Sequence, residues 1–392
     1  MTSSLKASIR IAFCISSFRA GGGEKQVIEI ANAFVARGYA VDLLVLKPVG
    51  QLVGQVDHRV RVVSLDAGRI IFSLPKLFFY LRRERPEVML ALDEYTHLLA
   101  LLARFLSGAR TRIILRIGNM LTELFKRYHD QKSKIVLPFL IRKLYKGADG
   151  IIANSRGVAD DSIKVTGIDK NKVSVISNPK NIGFIRSLAK ESVGHVWLEQ
   201  KTLPIVITVG RLRVQKNLPL LISAFAKVAE EIPSRLIIVG AGREEGRLRD
   251  FIRSVHAENN VSLTGYMDNP HAFTGKSDIF VSTSLWEGMP NSALEAMACG
   301  LPIIASDCSS GPREILAPDT DYRFRLKKGI EYAKYGVLTA VNDEDALVQA
   351  MMKLLSDAEL RAKYASLSKE RVKDFDSEKI IGEYALALGL NN

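Results

Sequence analysis

Trp286-Glu287-Gly288-Met289-Pro290-Asn291-Ser292-Ala293-Leu294-Glu295-Ala296-Met297-Ala298-Cys299-Gly300-Leu301-Pro302 reads as a strand end, a turn and a helix. Gly288 and Pro290 permit a tight bend. The run from Asn291 to Cys299 predicts a helix, stopped by Gly300 and Pro302. That arrangement puts Glu287 at the end of a strand and Glu295 in the first turn of the helix. Between them lies a helix N-terminus, whose free N–H groups and dipole favour a phosphate. Carboxylates accept hydrogen bonds from sugar hydroxyls, so the set suits a sugar nucleotide. A plainer reading competes with this one. Ser292 and Glu295 have the spacing of a capping box, in which Glu295 does no more than tie down the helix end.

Around this stretch the chain alternates apolar strands with helical runs, as doubly wound α/β domains do. Strands are predicted at 10–16, 41–46, 60–64, 88–92, 112–116, 150–154 and 173–176. A second series follows at 205–209, 236–239, 261–264, 279–282 and 303–305. Helices are predicted near 24–37, 74–83, 97–106, 132–145, 218–229, 246–254, 346–355 and 377–388. The stretch 181–203 lacks a clear period and reads as a linker. With 392 residues there is length for two domains. We expect a first domain over 1–190, a second over 204–375, and a closing helix in 376–392.

Composition narrows the function. Cys14, Cys299 and Cys308 have no paired spacing, which argues against a disulfide framework or a zinc site and for a reducing cytoplasm. The apolar run Ile11 to Ile15 is too short for a signal peptide, and 98–106 is interrupted by Arg104. The net charge of +13 is uneven. Residues 1–195 hold 31 Lys and Arg against 16 Asp and Glu, whereas 196–392 hold 24 against 26. A basic first half attracts phosphorylated substrates or anionic lipid. No recognition motif or aromatic ladder supports nucleic acid. The six histidines, at 58, 97, 129, 195, 256 and 271, show no metal-ligand spacing.

Further motifs follow strand ends. Val209-Gly210-Arg211-Leu212-Arg213-Val214-Gln215-Lys216-Asn217 closes the first strand of the second domain, where open α/β sheets bind ligands. Arg211 offers paired N–H groups to a phosphate and Lys216 a point charge. Gly21-Gly22-Gly23 follows the first strand of the chain and opens a helix, so its backbone N–H groups can approach phosphate or sugar. Gly240-Ala241-Gly242-Arg243-Glu244-Glu245 begins like a dinucleotide fingerprint, but Glu245 stands where the third glycine belongs, which argues against an oxidoreductase. Arg69 to Arg83 and Lys132 to Lys146 both interleave apolar bulk with cations. Such segments pack as ordinary helices on a sheet or lie on an anionic membrane surface, and the charge concentrated in this half favours the membrane.

The segment from Trp286 resembles the E-x7-E motif of the family 4 glycosyltransferases, and the similarity runs on through Ile303-Ile304-Ala305-Ser306-Asp307-Cys308 to Gly311-Pro312-Arg313-Glu314-Ile315-Leu316. Gly210 to Lys216 is similar to the segment in which that family grips the donor diphosphate. The resemblance implies a GT-B fold, with two Rossmann-like doubly wound domains facing across a cleft. It implies a retaining, metal-independent hexosyltransferase with no cofactor beyond its nucleotide-sugar co-substrate, a UDP-sugar being the leading candidate. Carried over residue by residue, Arg211 and Lys216 stabilise the leaving diphosphate and Glu287 holds the donor sugar. Glu295 binds the ribose, and Gly22, Gly23, Gly288, Met289, Pro290 and Asn291 contribute to the donor site. Many members place a histidine where this chain reads Leu115-Arg116-Ile117-Gly118-Asn119-Met120. Arg116, Asn119 and His97 are therefore candidates for lining the pocket instead. Gly311–Leu316 and Glu331-Tyr332-Ala333-Lys334-Tyr335-Gly336 look like members that build bacterial surface polysaccharide or lipid-linked oligosaccharide. The implied acceptor is a polyprenyl-diphosphate-linked glycan, reached from the inner face of the cell membrane. A transferase with a soluble acceptor and a non-enzymatic sugar or polyanion binder are the alternatives.

Overall fold

A computed structural model describes residues 9–19, 21–66, 68–126 and 131–390. His129 lies outside the described residues, as does the side chain of Lys132. The chain divides into two units, 1–179 with 378–392, and 180–377.

The first unit is built on strands β1 (Arg10–Ser17), β2 (Ala40–Lys47), β3 (Arg61–Ser64), β4 (Val88–Ala91), β5 (Arg112–Ile117), β6 (Gly150–Ala153) and β7 (Val173–Val175). They form a parallel sheet in the order β3-β2-β1-β4-β5-β6-β7. Helices cover both faces, so the central strands are apolar at successive positions rather than alternately. One face packs Phe13, Ile15, Leu43 and Leu90 against the helix Gly22–Ala36 and against Ile380, Ile381 and Tyr384 of the helix Ser377–Ala387. The other packs Cys14, Met89 and Leu115 against Leu77, Ala100 and Ile141. Each fully buried Ile, Leu or Phe of this kind contributes about 1.5–3 kcal/mol.

The second unit repeats the plan with β8 (Ile205–Val209), β9 (Arg235–Val239), β10 (Val261–Gly265), β11 (Ile279–Ser282), β12 (Ile303–Ser306), β13 (Ile330–Ala333) and β14 (Gly336–Thr339). Their order is β10-β9-β8-β11-β12-β14-β13, all parallel except the antiparallel β13–β14 hairpin. In each sheet the strand order reverses beside the unit's first strand, between β1 and β4 and between β8 and β11. Ligands of open α/β sheets bind outside the carboxyl ends of the strands at such a reversal.

Residues 181–203, expected as a linker, belong to the second unit and form the short helices Ile182–Leu188 and Val196–Glu199. Ile182, Ile185 and Leu198 enter that unit's core.

Candidate functional site

The sequence expectation for Glu287 and Glu295 needs correction. β11 ends at Ser282, so Glu287 lies in the following loop rather than at the strand end. Glu295 is one turn inside the helix Asn291–Cys299 rather than in its first turn. The N-cap is Pro290, and no side chain caps that helix, so the capping-box reading of Ser292 and Glu295 fails. Glu295 instead accepts a hydrogen bond from Lys180 Nζ at 3.1 Å, and Lys180 is buried. The uncapped helix start is what an incoming phosphate or sugar oxygen can use.

The loops after β8 and β11 are tied to each other at the strand-order reversal. Lys216 Nζ meets Glu287 Oε1 at 2.6 Å, and Ser284 Oγ donates to the same oxygen at 2.7 Å. Thr283 Oγ1 donates to the Lys216 carbonyl at 2.8 Å, Gln215 Nε2 to the Trp286 carbonyl at 2.7 Å, and Leu285 N–H to the Gln215 carbonyl at 2.8 Å. Glu287 is only 7% exposed, so its carboxylate is held in place at little entropic cost on ligand binding. Both side-chain bonds fall on Oε1, and among the described residues Oε2 accepts none. Arg211 is exposed, and among the described residues its guanidinium has no partner.

Two glycines make the loops fit. Gly240 has φ +143°, and a Cβ there would stand 1.9 Å from the Gly210 carbonyl oxygen, so the first turn of the segment 210–216 needs glycine opposite it. Gly311 has φ +89°, and its Cβ would meet the Gly288 carbonyl oxygen at 2.4 Å. That carbonyl accepts from Ser310 Oγ at 3.2 Å. Gly288, Met289 and Pro290 are buried beneath this contact, while Asn291 is half-buried at the start of its helix. Arg325 in turn holds the Ser309 carbonyl through Nη2. Sequence reasoning missed Ser284, Ser310, Lys180 and Arg325. Ser284 could have been found, since it sits three residues before Glu287; the other three reach the site through the tertiary fold.

Burial pushes the Cys308 thiol up to about 12, with Glu287 adding to the effect, so Cys308 stays protonated and is no nucleophile. Among the described residues no group of three or more His, Cys, Asp or Glu could hold a metal ion.

In the first unit Gly22 and Gly23 form the first turn of the helix Gly22–Ala36 instead of a free loop, with Gly21 as N-cap. A Cβ on Gly23 would lie 3.3 Å from Leu92 Cδ1, at the end of β4. Asn119 is exposed. Arg116 is 2% exposed, donating from Nε to Tyr384 Oη at 3.0 Å and from Nη2 to Asn178 Oδ1 at 2.6 Å. His97 lies in the core, with Nε2 donating to the Ala91 carbonyl at 3.0 Å and Nδ1 accepting from the Tyr145 hydroxyl at 2.7 Å. Burial keeps the ring neutral, holding its pKa down to about 3.

A depressed histidine pKa means that the unfolded chain binds the extra proton between about pH 6.5 and 3, so stability rises with pH across that window. We expect His97 to cost about 1.4 kcal/mol for each pH unit of acidification below its unfolded value. Denaturant melts at stepped pH should show a shallower slope in His97→Phe than in the wild type. Equal slopes would contradict this account.

Two Rossmann-like units, the second carrying a cation–carboxylate pair at its strand reversal, define the class of nucleotide-binding transferases with two α/β domains. Comparison with known proteins gives the family. Residues 190–371 match the family described as Glycosyl transferases group 1, and residues 20–182 match Glycosyltransferase Family 4. The chain is 34% identical over 299 residues to an uncharacterized glycosyltransferase of Methanocaldococcus jannaschii, spanning 71% of this chain and 72% of that protein. It is 30% identical over 282 residues to the N-acetylgalactosamine-N,N'-diacetylbacillosaminyl-diphospho-undecaprenol 4-alpha-N-acetylgalactosaminyltransferase of Campylobacter jejuni, spanning 72% and 70%. Among solved structures, Anabaena HepE in complex with UDP and glucose aligns with a TM-score of 0.78 at 20% identity, over 97% of this chain and 99% of that one. The chain belongs to the family 4 glycosyltransferases and has the GT-B fold.

Proposed function

We propose that this protein transfers a sugar, with retention at the anomeric carbon, from a nucleotide sugar to a polyprenyl-diphosphate-linked saccharide in bacterial glycan assembly. The observation that carries the reading is the Lys216–Glu287 pair at the strand-order reversal of the second unit, beside a helix start that no side chain caps.

In this reading the donor diphosphate lies against Lys216 and Arg211, and the sugar hydroxyls donate to Glu287 Oε2. The start of the helix Asn291–Cys299 faces the donor, and Glu295 takes the ribose. Breaking the bond between the anomeric carbon and the diphosphate oxygen leaves charge on that diphosphate. The two cations stabilise this charge as it develops, and electrostatic help of this kind is worth about 3–4 kcal/mol per well-placed group. The diphosphate then takes the proton of the attacking acceptor hydroxyl on the same face of the sugar, which preserves the anomeric configuration. A UDP-sugar is the favoured donor, supported by the structural likeness to HepE, which was solved with UDP-glucose.

The lipid-linked acceptor is supported by the Campylobacter relative, whose name specifies a diphospho-undecaprenol substrate. Surface chemistry of the first unit agrees. Leu77, Leu81, Leu137 and Tyr145 pack inward as ordinary helix residues. Outward, the helices Ser73–Glu84, Glu94–Ser107 and Gln131–Leu144 expose Phe79, Phe105, Leu106, Ile135 and Phe139, with Phe105 82% exposed. Lys76, Arg82, Arg142 and Lys143 are exposed on two of the same helices. Apolar bulk flanked by cations is the composition that binds anionic bilayers, at about 1 kcal/mol per basic residue near the surface. Among the described residues no helix is long and apolar enough to cross a membrane. The exposed apolar and basic side chains of these helices support a peripheral position on the cytoplasmic face of the membrane.

Thermal unfolding against a panel of nucleotide sugars tests the donor, since ligand binding to the folded state raises the midpoint. The stabilising sugar is then offered with a polyprenyl-diphosphate-linked acceptor, and the anomeric configuration of the product is read by NMR. A UDP-sugar that stabilises and transfers with retention is expected. A panel without effect, or an inverted product, overturns the reading.

A further inference from the structure

A second hollow lies in the same unit, at the other end of the donor-site helix. It is formed by Ala298 and Cys299, the last two residues of the helix Asn291–Cys299, together with the helices Ile182–Leu188 and Ala358–Arg371. Nine helical residues separate it from Pro290 by about 13 Å and about 6 Å of helix separate it from Glu295; none of the residues given to the donor site lines it, and Glu295 turns to Lys180. Its volume is about 730 Å³, within the range of small-molecule sites.

Its lining is strongly charged. Arg186, Lys190, Lys369 and Lys373 face one carboxylate, Glu370. Other lysines of this unit have acidic partners, as in Lys201–Asp278, Lys227–Glu344, Lys276–Glu199 and Lys353–Asp357. Among the described residues the ammonium groups of Lys190, Lys369 and Lys373 have none. The concentration stands out in a unit, 180–377, that holds 26 Lys and Arg against 25 Asp and Glu.

Part of this charge serves the helix end. Arg186 Nε donates to the Ala298 carbonyl at 3.0 Å, and the Lys369 stem crosses Gly300 so closely that a Cβ there would lie 2.3 Å from its Cε. A helix C-terminus, however, offers only about −0.5 of a charge. With Glu370 it leaves about +2.5 uncompensated. A hollow of this volume is about 11 Å across, comparable to the Debye length of about 8–10 Å, so salt only partly screens the mutual repulsion. An anion carrying two or more charges relieves it.

We propose that this hollow binds a compound bearing a diphosphate or a comparable pair of phosphate charges, either soluble or as a lipid headgroup. Arg186 keeps its terminal N–H groups for two phosphate oxygens, and the lysines supply point charges around them. Gly275 and Ala189 line it in close contact: a Cβ on Gly275 would strike the Ala189 carbonyl oxygen at 2.7 Å.

Calorimetric titration with inorganic pyrophosphate tests the site in the full chain. Lys369→Gln/Lys373→Gln removes two exposed cations without opening the core, and Lys369→Arg/Lys373→Arg keeps the charge as a folding control. The Gln pair is expected to weaken pocket binding by about tenfold or more, equivalent to about 1.4 kcal/mol. The Arg pair and Lys216→Met, which alters only the donor site, should still bind there. Unchanged binding in the Gln pair, or no binding in the wild type beyond what Lys216→Met abolishes, overturns the proposal. Vesicles of equal phosphatidylglycerol and phosphatidylcholine separate the sources. Vesicle binding that falls in the Gln pair assigns the site to headgroups, and vesicle binding that stays unchanged assigns it to a soluble phosphate. Stabilisation by the donor sugar is expected to survive in the Gln pair, so this site and the proposed transferase site can fail independently.

Discussion

Lys216→Met is expected to lower kcat/KM for sugar transfer by about 10²–10³-fold, the usual loss when one preorganised group facing developing charge is removed. Methionine keeps most of the stem that runs beside Gly210, where a Cβ would lie 3.1 Å from Lys216 Cε. The loss should therefore reflect charge rather than packing. Removing Lys216 also takes away the partner of Glu287, a carboxylate that is 7% exposed. The companion Glu287→Gln keeps the shape and the Ser284 contact but removes the negative charge. It should lose transfer too, with near-normal folding by circular dichroism. Steady-state kinetics on both variants decide the matter. Wild-type kcat/KM in either one is incompatible with the role given to that residue.

The second large effect falls on stability. Arg313 is 2% exposed, and its guanidinium reaches Asp307 Oδ2 and Glu331 Oε2 at 2.7 Å each and Thr320 Oγ1 at 3.1 Å. Asp307 is 1% exposed and also accepts from Leu326 N–H at 2.8 Å. Taking away one partner leaves a buried charge uncompensated, which costs about 3–5 kcal/mol. Arg313→Met should thus lower the unfolding midpoint of this unit strongly, at about 2–4 °C per kcal/mol for a domain of this size. Arg313→Met/Asp307→Leu should recover part of the loss, because the stranded carboxylate is gone. A midpoint within error of the wild type for Arg313→Met would show that the network is solvated and dispensable.

Most of this fold is readable along the chain, for a specific reason. β8 and β11 fall at the predicted residues because Ile205–Val209 and Ile279–Ser282 are short β-branched and aromatic runs buried on both sheet faces. The helix Ala358–Arg371 escaped detection because it has no apolar stripe, burying only Tyr364 and Ser368. The β13–β14 hairpin was read as a motif and not as two strands, its Lys334-Tyr335 turn lacking the glycine or asparagine that announces such a connection. Within the site, Lys216 and Glu287 were picked out by their motifs and their side chains meet at 2.6 Å, although Glu287 stands five residues past the end of β11. Glu295 was expected in the first turn of the helix Asn291–Cys299, whose start was placed correctly, but it is the fifth residue of that helix. The burial of Arg116 and His97 could not be read from their neighbours. It depends on Tyr384 and Tyr145, 268 and 48 residues away.

The first unit is discontinuous in the chain, and this orders events during synthesis. Its core includes Ile380, Ile381 and Tyr384, and buried Arg116 waits for the Tyr384 hydroxyl. At about 5–20 residues per second, a ribosome needs roughly 10–40 s to make the stretch after 179. Until then the face of the sheet that receives Ser377–Ala387 stays uncovered, whereas residues 180–377 emerge as one uninterrupted piece. The half translated first is thus the last to be finished, and it is the nascent basic half that chaperones would have to shield in the meantime.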